Sequence, residues 1–407
     1  MNLKSKLPPK FQKYASFGIF PKLIFLPFAL GFIALILLLR PFVVIKFFKV
    51  NQWRIGHLLA EVEIARINAL GDSTNKKNYV IYYFPEQRVA NEYVVQMWKR
   101  VLPNVTGSWG WILYALATNL PLRNLIVKVK VRDEFGRFIL SSPNWEFTPE
   151  EIVFGQKFLN SVGCVDNNFV CLMVRDSTYL KTIRSDKSFD FYKYRDSDIS
   201  TYVFAAEALT KLGYIVFRMG QIVKDPIYTA NPKIIDYATN GMRSEFLDVY
   251  LGANCKFCVS TGTGWDCIPQ LFRRPMMYLN VVGFSEDLIT NPFIIYPKTY
   301  KDLATNAILT LSQIAERGIA NEVRSPAIDA SETVIEDLSA ESIRDAVLEM
   351  TNRLKTTMSP SHVDELRKNR IIEIFRKHQL MQVTQNQGDL RGQFASCFLS
   401  RYPNFLD

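Results

Sequence analysis

A chain of 407 residues, 48% hydrophobic and 22% charged, is long enough for two ordinary domains and rich enough in apolar residues to bury a core, which excludes both a disordered protein and a multi-span membrane protein. Its net charge of +10 points to an acidic partner, whether nucleic acid, an anionic membrane surface or a phosphorylated substrate. Nothing in the chain resembles an RNA- or DNA-reading module, so no nucleic-acid partner is expected.

Half of the excess charge sits at the start: Lys4, Lys6, Lys10, Lys13 and Lys22 precede any acidic residue. They lead into "LIFLPFALGFIALILLL", residues 23–39, an uncharged run of seventeen. At about 1.5 Å per residue this run reaches roughly 25 Å, short of a hydrocarbon core of ~30 Å. Residues 1–40 are therefore expected to associate with a membrane by a marginal span or by lying in the interface, with a buried core helix as the alternative for residues 23–39. No small-residue cleavage site follows, so the anchor is expected to stay on.

From residue 41 strands and helices alternate. "FVVIKFF" (42–48) and "YVIYYF" (79–84) have strand composition, "IGHLLAEVEIARINAL" (55–70) and "NEYVVQMWKRVL" have helical spacing, and "NLIVKVKV" (124–131) is a third apolar run. A polar stretch at 141–152 marks a domain boundary, with Thr148, Pro149 and two glutamates starting a helix. The rhythm resumes with strands at "FVCLMV" (169–174), "YIVFRMG", "KIIDYA", "KFCVS" and "PMMYLNVV", separated by the helices "DISTYVFAAEALTKLG" and "SEFLDVYLGA". Alternation of this kind implies parallel sheets with helices on both faces. The expected domains are an N-terminal Rossmann-like one (41–145), a C-terminal Rossmann-like one (146–338) and a helical tail (339–407).

The polar motifs fall at the ends of strands. "STGTG", Ser260, Thr261, Gly262, Thr263 and Gly264, lies between a strand and a short helix; free N–H groups and a helix dipole there suit a diphosphate, though glycines also serve any tight turn. Asp266 beside it reads as a cap or a sugar-hydroxyl acceptor. Arg175, Arg195 and Arg218 each follow a strand or precede a helix, and guanidinium forks bind phosphate oxygens; each would pair equally well with a surface carboxylate. "DSD", Asp196 to Asp198, has the form of a metal-holding DxD element, but it immediately precedes a helix, where these residues are ordinary caps. No metal is expected. Cys255 and Cys258 form a CxxC without a second ligand pair and read as buried thiols in a reducing compartment. His57, in the turn after the first strand, is placed to act as a general base or a phosphate donor, or simply to satisfy its neighbours.

Five blocks together carry a resemblance: "RPFVVIKFFKVNQWRIGHLLAEVEI", "VCLMVRDSTYL", "YKYRDSDISTYVFAAEALTKLGYIVFRMG", "RSEFLDVYLGANCKFCVSTGTGWDCIPQLFRRPMMYLN" and "FLSRYPNFL". In order and spacing they resemble a family of bacterial glycosyltransferases encoded among surface-polysaccharide genes, from about residue 40 onward. The resemblance implies a GT-B-like α/β architecture, two Rossmann-like domains facing a cleft, preceded here by the hydrophobic helix. It implies a nucleotide-sugar donor held by the C-terminal domain, a saccharide acceptor, lipid-linked in such pathways, and neither cofactor nor metal. Under it Arg175, Arg195, Arg218 and residues 260–264 become donor-site candidates and His57 the catalytic candidate, on an enzyme at the cytoplasmic face of the inner membrane. A nucleotide-sugar epimerase on the same scaffold and a non-catalytic, membrane-tethered assembly protein are the alternatives.

Overall fold

A computed structural model describes residues 19–70, 77–85, 88–103, 105–106, 110–129, 141–186, 188–355, 362–381 and 390–407. The chain divides into two compact units, Met1–Arg132 and Asp133–Asp407.

The first unit begins with helix α1 (Ile19–Leu39), which contains Pro27. Strand β1 (Val43–Lys49), helix α2 (Ile55–Leu70), strand β2 (Lys77–Tyr83), helix α3 (Glu92–Val101), the short strand β3 (Val105–Thr106) and helix α4 (Gly110–Asn119) follow. The three strands are parallel and lie in chain order. Asn91 starts α3 by accepting the Val94 N–H, and the buried Trp98 ties α3 to α2 through a 2.9 Å bond to the Leu58 carbonyl. The uncharged α1 is no loose leader. Ala29, Ile33 and Ile36, at helical spacing, are buried in a core shared with Phe47 of β1 and Ile112, Leu113 and Ala117 of α4. Among the described residues no helix is long and apolar enough to cross a membrane. In the described part of the apolar run 124–131, Arg123–Leu125 form a 3₁₀ turn and Ile126 makes one isolated bridge to Phe47.

The second unit is built on seven parallel strands. In chain order they are β4 (Phe169–Met173), β5 (Ile215–Arg218), β6 (Ile234–Ile235), β7 (Phe257–Ser260), β8 (Met276–Val281) and β9 (Ile294–Pro297). An antiparallel pair, β10 (Thr299–Asp302) and β11 (Thr333–Glu336), stands apart, and β12 (Gln393–Phe394) completes the main sheet. Its spatial order is β12-β9-β8-β7-β4-β5-β6. Read from β6 to β9, this is the doubly wound dinucleotide-binding order. β4, β7 and β8 are almost wholly buried, as expected of a sheet covered on both faces.

Residues 141–152 belong to this unit rather than to a boundary, because their aromatic side chains have partners in it. Phe147 stacks on Phe272 at 5.6 Å and meets Tyr250 edge-on at 5.2 Å. The expected helix start is present as a capping box: Thr148 and Glu151 satisfy each other's backbone N–H groups at the start of helix α5 (Pro149–Ser161). Gly155 of α5 lets the helix seat on Tyr250 of helix α6 (Glu245–Asn254). The tail adds helix α7 (Ala340–Lys355) and helix α8 (His362–Lys377), and β12 binds the sheet edge at β9.

Candidate functional site at the sheet switch point

From β4 the chain winds outward through β5 and β6, then returns to the other side of β4 as β7 and winds the opposite way. The loops leaving β4 and β7 therefore diverge, and such a switch point opens a crevice at the carboxyl ends of the strands. Arg175 stands two residues past β4 and Thr261 one past β7, joined by a 2.8 Å bond from the Arg175 N–H to Thr261 Oγ1.

Arg175 is only 9% exposed, and its Nη1 donates to Asp196. Its Nη2 is buried with no hydrogen-bond partner, although a buried guanidinium N–H is costly to leave unpaired. Burial, helped by the positive charge of Arg195, lowers the Arg175 pKa to about 10, so the group is still charged at neutral pH; burial also raises Asp196. Arg195 donates from Nη2 to the Gly262 carbonyl at 2.8 Å. A third cation, unforeseen from sequence, is Lys298, the residue after β9. It is buried, which lowers its pKa, and it bonds the Asp196 carbonyl at 2.7 Å and the Asp337 carboxylate. Asp176 spends its two oxygens on the backbone N–H groups of Thr178 and Lys224. Buried Asn280 on β8, at φ 55°, fixes this region by bonding Tyr202 and the Leu338 N–H.

The turn after β7 does different work from the one its sequence suggests. Ser260 donates to Asp266 at 2.7 Å and accepts the Gly262 N–H, while Thr263 gives both its N–H and its hydroxyl to Asp266. The expected dipole is missing as well: Gly264–Asp266 is a three-residue 3₁₀ turn, and the helix after it, Cys267–Leu271, has five residues. These groups are consumed internally, so the turn presents its Gly262 carbonyl to Arg195 and braces the arginines rather than cradling an anion itself. Gly262, at φ +84°, needs glycine for its conformation; space for a side chain exists. Asp266 is fully buried and is a cap, not a sugar contact.

The other candidates separate. Arg218, 1% exposed, bonds Asp236 and the Asp225 carbonyl, so its charge holds the loop after β5. In "DSD", Asp198 caps a 3₁₀ turn by accepting the Ser200 N–H, as read, while Asp196 pairs with Arg175. No group of three or more His, Cys, Asp or Glu among the described residues is placed to hold a metal. Cys255 ends α6 instead of lying on a strand; it and Cys258 are buried and unbridged. His57, on the first turn of α2 in the other unit, bonds Glu61 one turn on, Nδ1 to Oε1 at 2.7 Å. A carboxylate accepts, so Nδ1 is the donor of this pair and Nε2 is the ring nitrogen Glu61 does not engage. A hollow of about 380 Å³ lined by Cys164, Asp166, Asn168 and Lys256 lies at the amino ends of the strands, the wrong end for a switch-point ligand.

Burial raises the Asp266 pKa to about 6. A carboxyl raised above its unfolded value holds a proton in the folded chain where the unfolded chain has lost it. Its contribution to stability therefore falls as pH rises from about 4 to 6, and the full cost stands above pH 6. In Asp266→Asn the amide oxygen can take the Thr263 N–H and its NH₂ can face the Ser260 hydroxyl, which rotates to accept. Between pH 4 and pH 7 the wild type is expected to lose on the order of 2 kcal/mol against this variant in urea denaturation. A difference that does not change with pH would show that Asp266 ionises at no cost.

No family model matches the chain, and no curated protein matches it. Among solved structures, the family 9 glycosyl transferase of Veillonella parvula shares 10% identity over 76% of this chain and 98% of its own, at a TM-score of 0.42. The ADP-heptose LPS heptosyltransferase II of E. coli shares 13% identity over 57% of this chain and 84% of its own, at 0.32. Likenesses this distant leave the fold to the strand order and the function to the chemistry of the site.

Proposed function

We propose that the chain is a glycosyltransferase that takes a sugar from a nucleotide-diphosphate donor bound at the β4/β7 switch point of its second unit. The observation that carries this reading is the buried, unpartnered Nη2 of Arg175, a residue at that switch point, with Arg195 bonded to the Gly262 carbonyl and Lys298 to the Asp196 carbonyl beside it. An oxyanion there would supply the missing acceptor. As the glycosidic bond to the diphosphate breaks, negative charge grows on the leaving oxygens, and preorganised cations in a water-poor site stabilise that change. The reading assigns His57, oriented by Glu61, to deprotonate the acceptor hydroxyl. The five-block resemblance adds a GT-B arrangement, a saccharide acceptor carried on lipid, surface-polysaccharide synthesis, and attachment through residues 1–40 at the cytoplasmic face of the membrane, where nucleotide sugars are found. All of these belong to the proposal.

Calorimetric titration of the full chain with UDP, GDP, ADP, CDP and dTDP, with EDTA present, tests the donor site. One nucleoside diphosphate is expected to bind at micromolar concentration and to tolerate the chelator. Binding of none, or binding only with a divalent metal, would overturn the arginine-held donor.

A further inference from the structure

We propose that α1 docks the first unit on an anionic bilayer as an in-plane helix inserted into one leaflet, and that it does not span. This deepens the membrane attachment above and is independent of catalysis. Two observations from different sources carry it. The first is the two-sidedness of an almost uncharged helix. Ala29, Ile33 and Ile36 are locked into the core with Ile112, Leu113 and Ala117, so α1 cannot cross a membrane without tearing that core open. Around the helix from this stripe, Phe28 and Leu38 are each 74% exposed, with Leu35 between them in angle, Leu39 about 20° to the other side of Phe28 and Phe42 just beyond the helix end. An apolar face of that size left in water marks an interaction surface.

The second observation is charge. Residues 1–60 hold nine lysines and arginines and no aspartate or glutamate; Glu61 is the first acid. Arg40 and Lys49, both exposed, are among the nine. Apolar side chains flanked by charge of a single sign fit lipid tails beneath anionic headgroups, each basic residue near the surface adding about 1 kcal/mol of attraction. A second copy of the chain would cover the apolar face equally well, but like charge around it would oppose pairing.

The test uses the full chain and vesicles of phosphatidylcholine with or without one-third phosphatidylglycerol. Flotation is expected with the anionic vesicles, at least tenfold weaker with phosphatidylcholine alone. The pair Phe28→Ser and Leu38→Ser is expected to lower anionic binding at least tenfold without moving the melting temperature, since both side chains are exposed. Unchanged flotation of this variant, or dimerisation through the face with no flotation, overturns the proposal. For orientation, Phe28→Cys and Leu38→Cys are labelled separately with a fluorophore and quenched by lipids brominated at graded depth. Equal shallow depths are expected. A separation near the ~15 Å that ten helical residues span would mean a crossing helix and would also overturn it. Nucleotide titration of the same samples reports the donor site separately, so failure of docking and failure of the enzyme reading are distinguishable.

Discussion

Arg175→Lys is expected to fold and to lose about 100-fold in kcat/KM for the nucleotide sugar, with most of the loss also seen as weaker nucleoside-diphosphate binding. The guanidinium does two jobs from one rigid plane: Nη1 holds Asp196 and Nη2, buried and without a partner, is the proposed donor to the anion. An ammonium has one nitrogen on a flexible stem and cannot be in both places. Asp196 is the stronger claimant, because a half-buried carboxylate is already present to take the charge, so lysine would keep the ion pair and leave the anion position empty. That is the reason to choose lysine over alanine, which would break the Asp196 ion pair and confuse instability with lost function. Steady-state kinetics with the donor, beside thermal denaturation of both proteins, check this. A variant with wild-type kcat/KM would place the leaving group elsewhere.

The second expectation is about stability and runs against a familiar rule. Glycine to alanine inside a helix ordinarily stabilises by up to about 1 kcal/mol. At Gly155 it is expected to destabilise by about 2 kcal/mol, and Gly155→Val by about 4 kcal/mol or more. A methyl group there would sit inside the ring of Tyr250, which cannot retreat: Phe246 stacks on it at 5.4 Å and Phe147 closes its edge. The helix must lift off α6 or the aromatic cluster must come apart. Chemical denaturation of the three proteins measures it, and an alanine variant as stable as wild type would show that the tyrosine has room to move.

Sequence periodicity located most of the parallel framework because its determinants are local. Helix 55–70 carries its own apolar spacing, and β4 is an unbroken apolar run. What it missed depends on partners far along the chain. Gln393–Phe394 becomes a strand only because β9 offers an edge, and the apolar run 124–131 meets β1 by an isolated bridge at Ile126. The site follows the same division. Arg175 was visible beside a strand end and Arg195 before a helix, and the fold brings them together. Arg218, with the same signature, turned inward because Asp236, eighteen residues on, claimed it. Lys298 went unnoticed because β9 itself did; the i, i+4 spacing of His57 and Glu61 on a recognised helix was a signal that could have been read. The glycine turn misled most, since composition reveals that hydroxyls and N–H groups are present but not that Asp266 has already taken them.

The attachment of β12 to β9 bears on how the second unit assembles. β9 closes at Pro297 and its outer neighbour starts at Gln393, with the antiparallel pair and the helices α7 and α8 in between. Bringing such distant segments together costs loop entropy before any contact repays it, so this pairing belongs late in folding. Until then β9 presents an open row of backbone donors and acceptors to whatever strand is near. The outermost strand is only two residues long, yet it is the seal that turns an adhesive sheet edge into a finished surface.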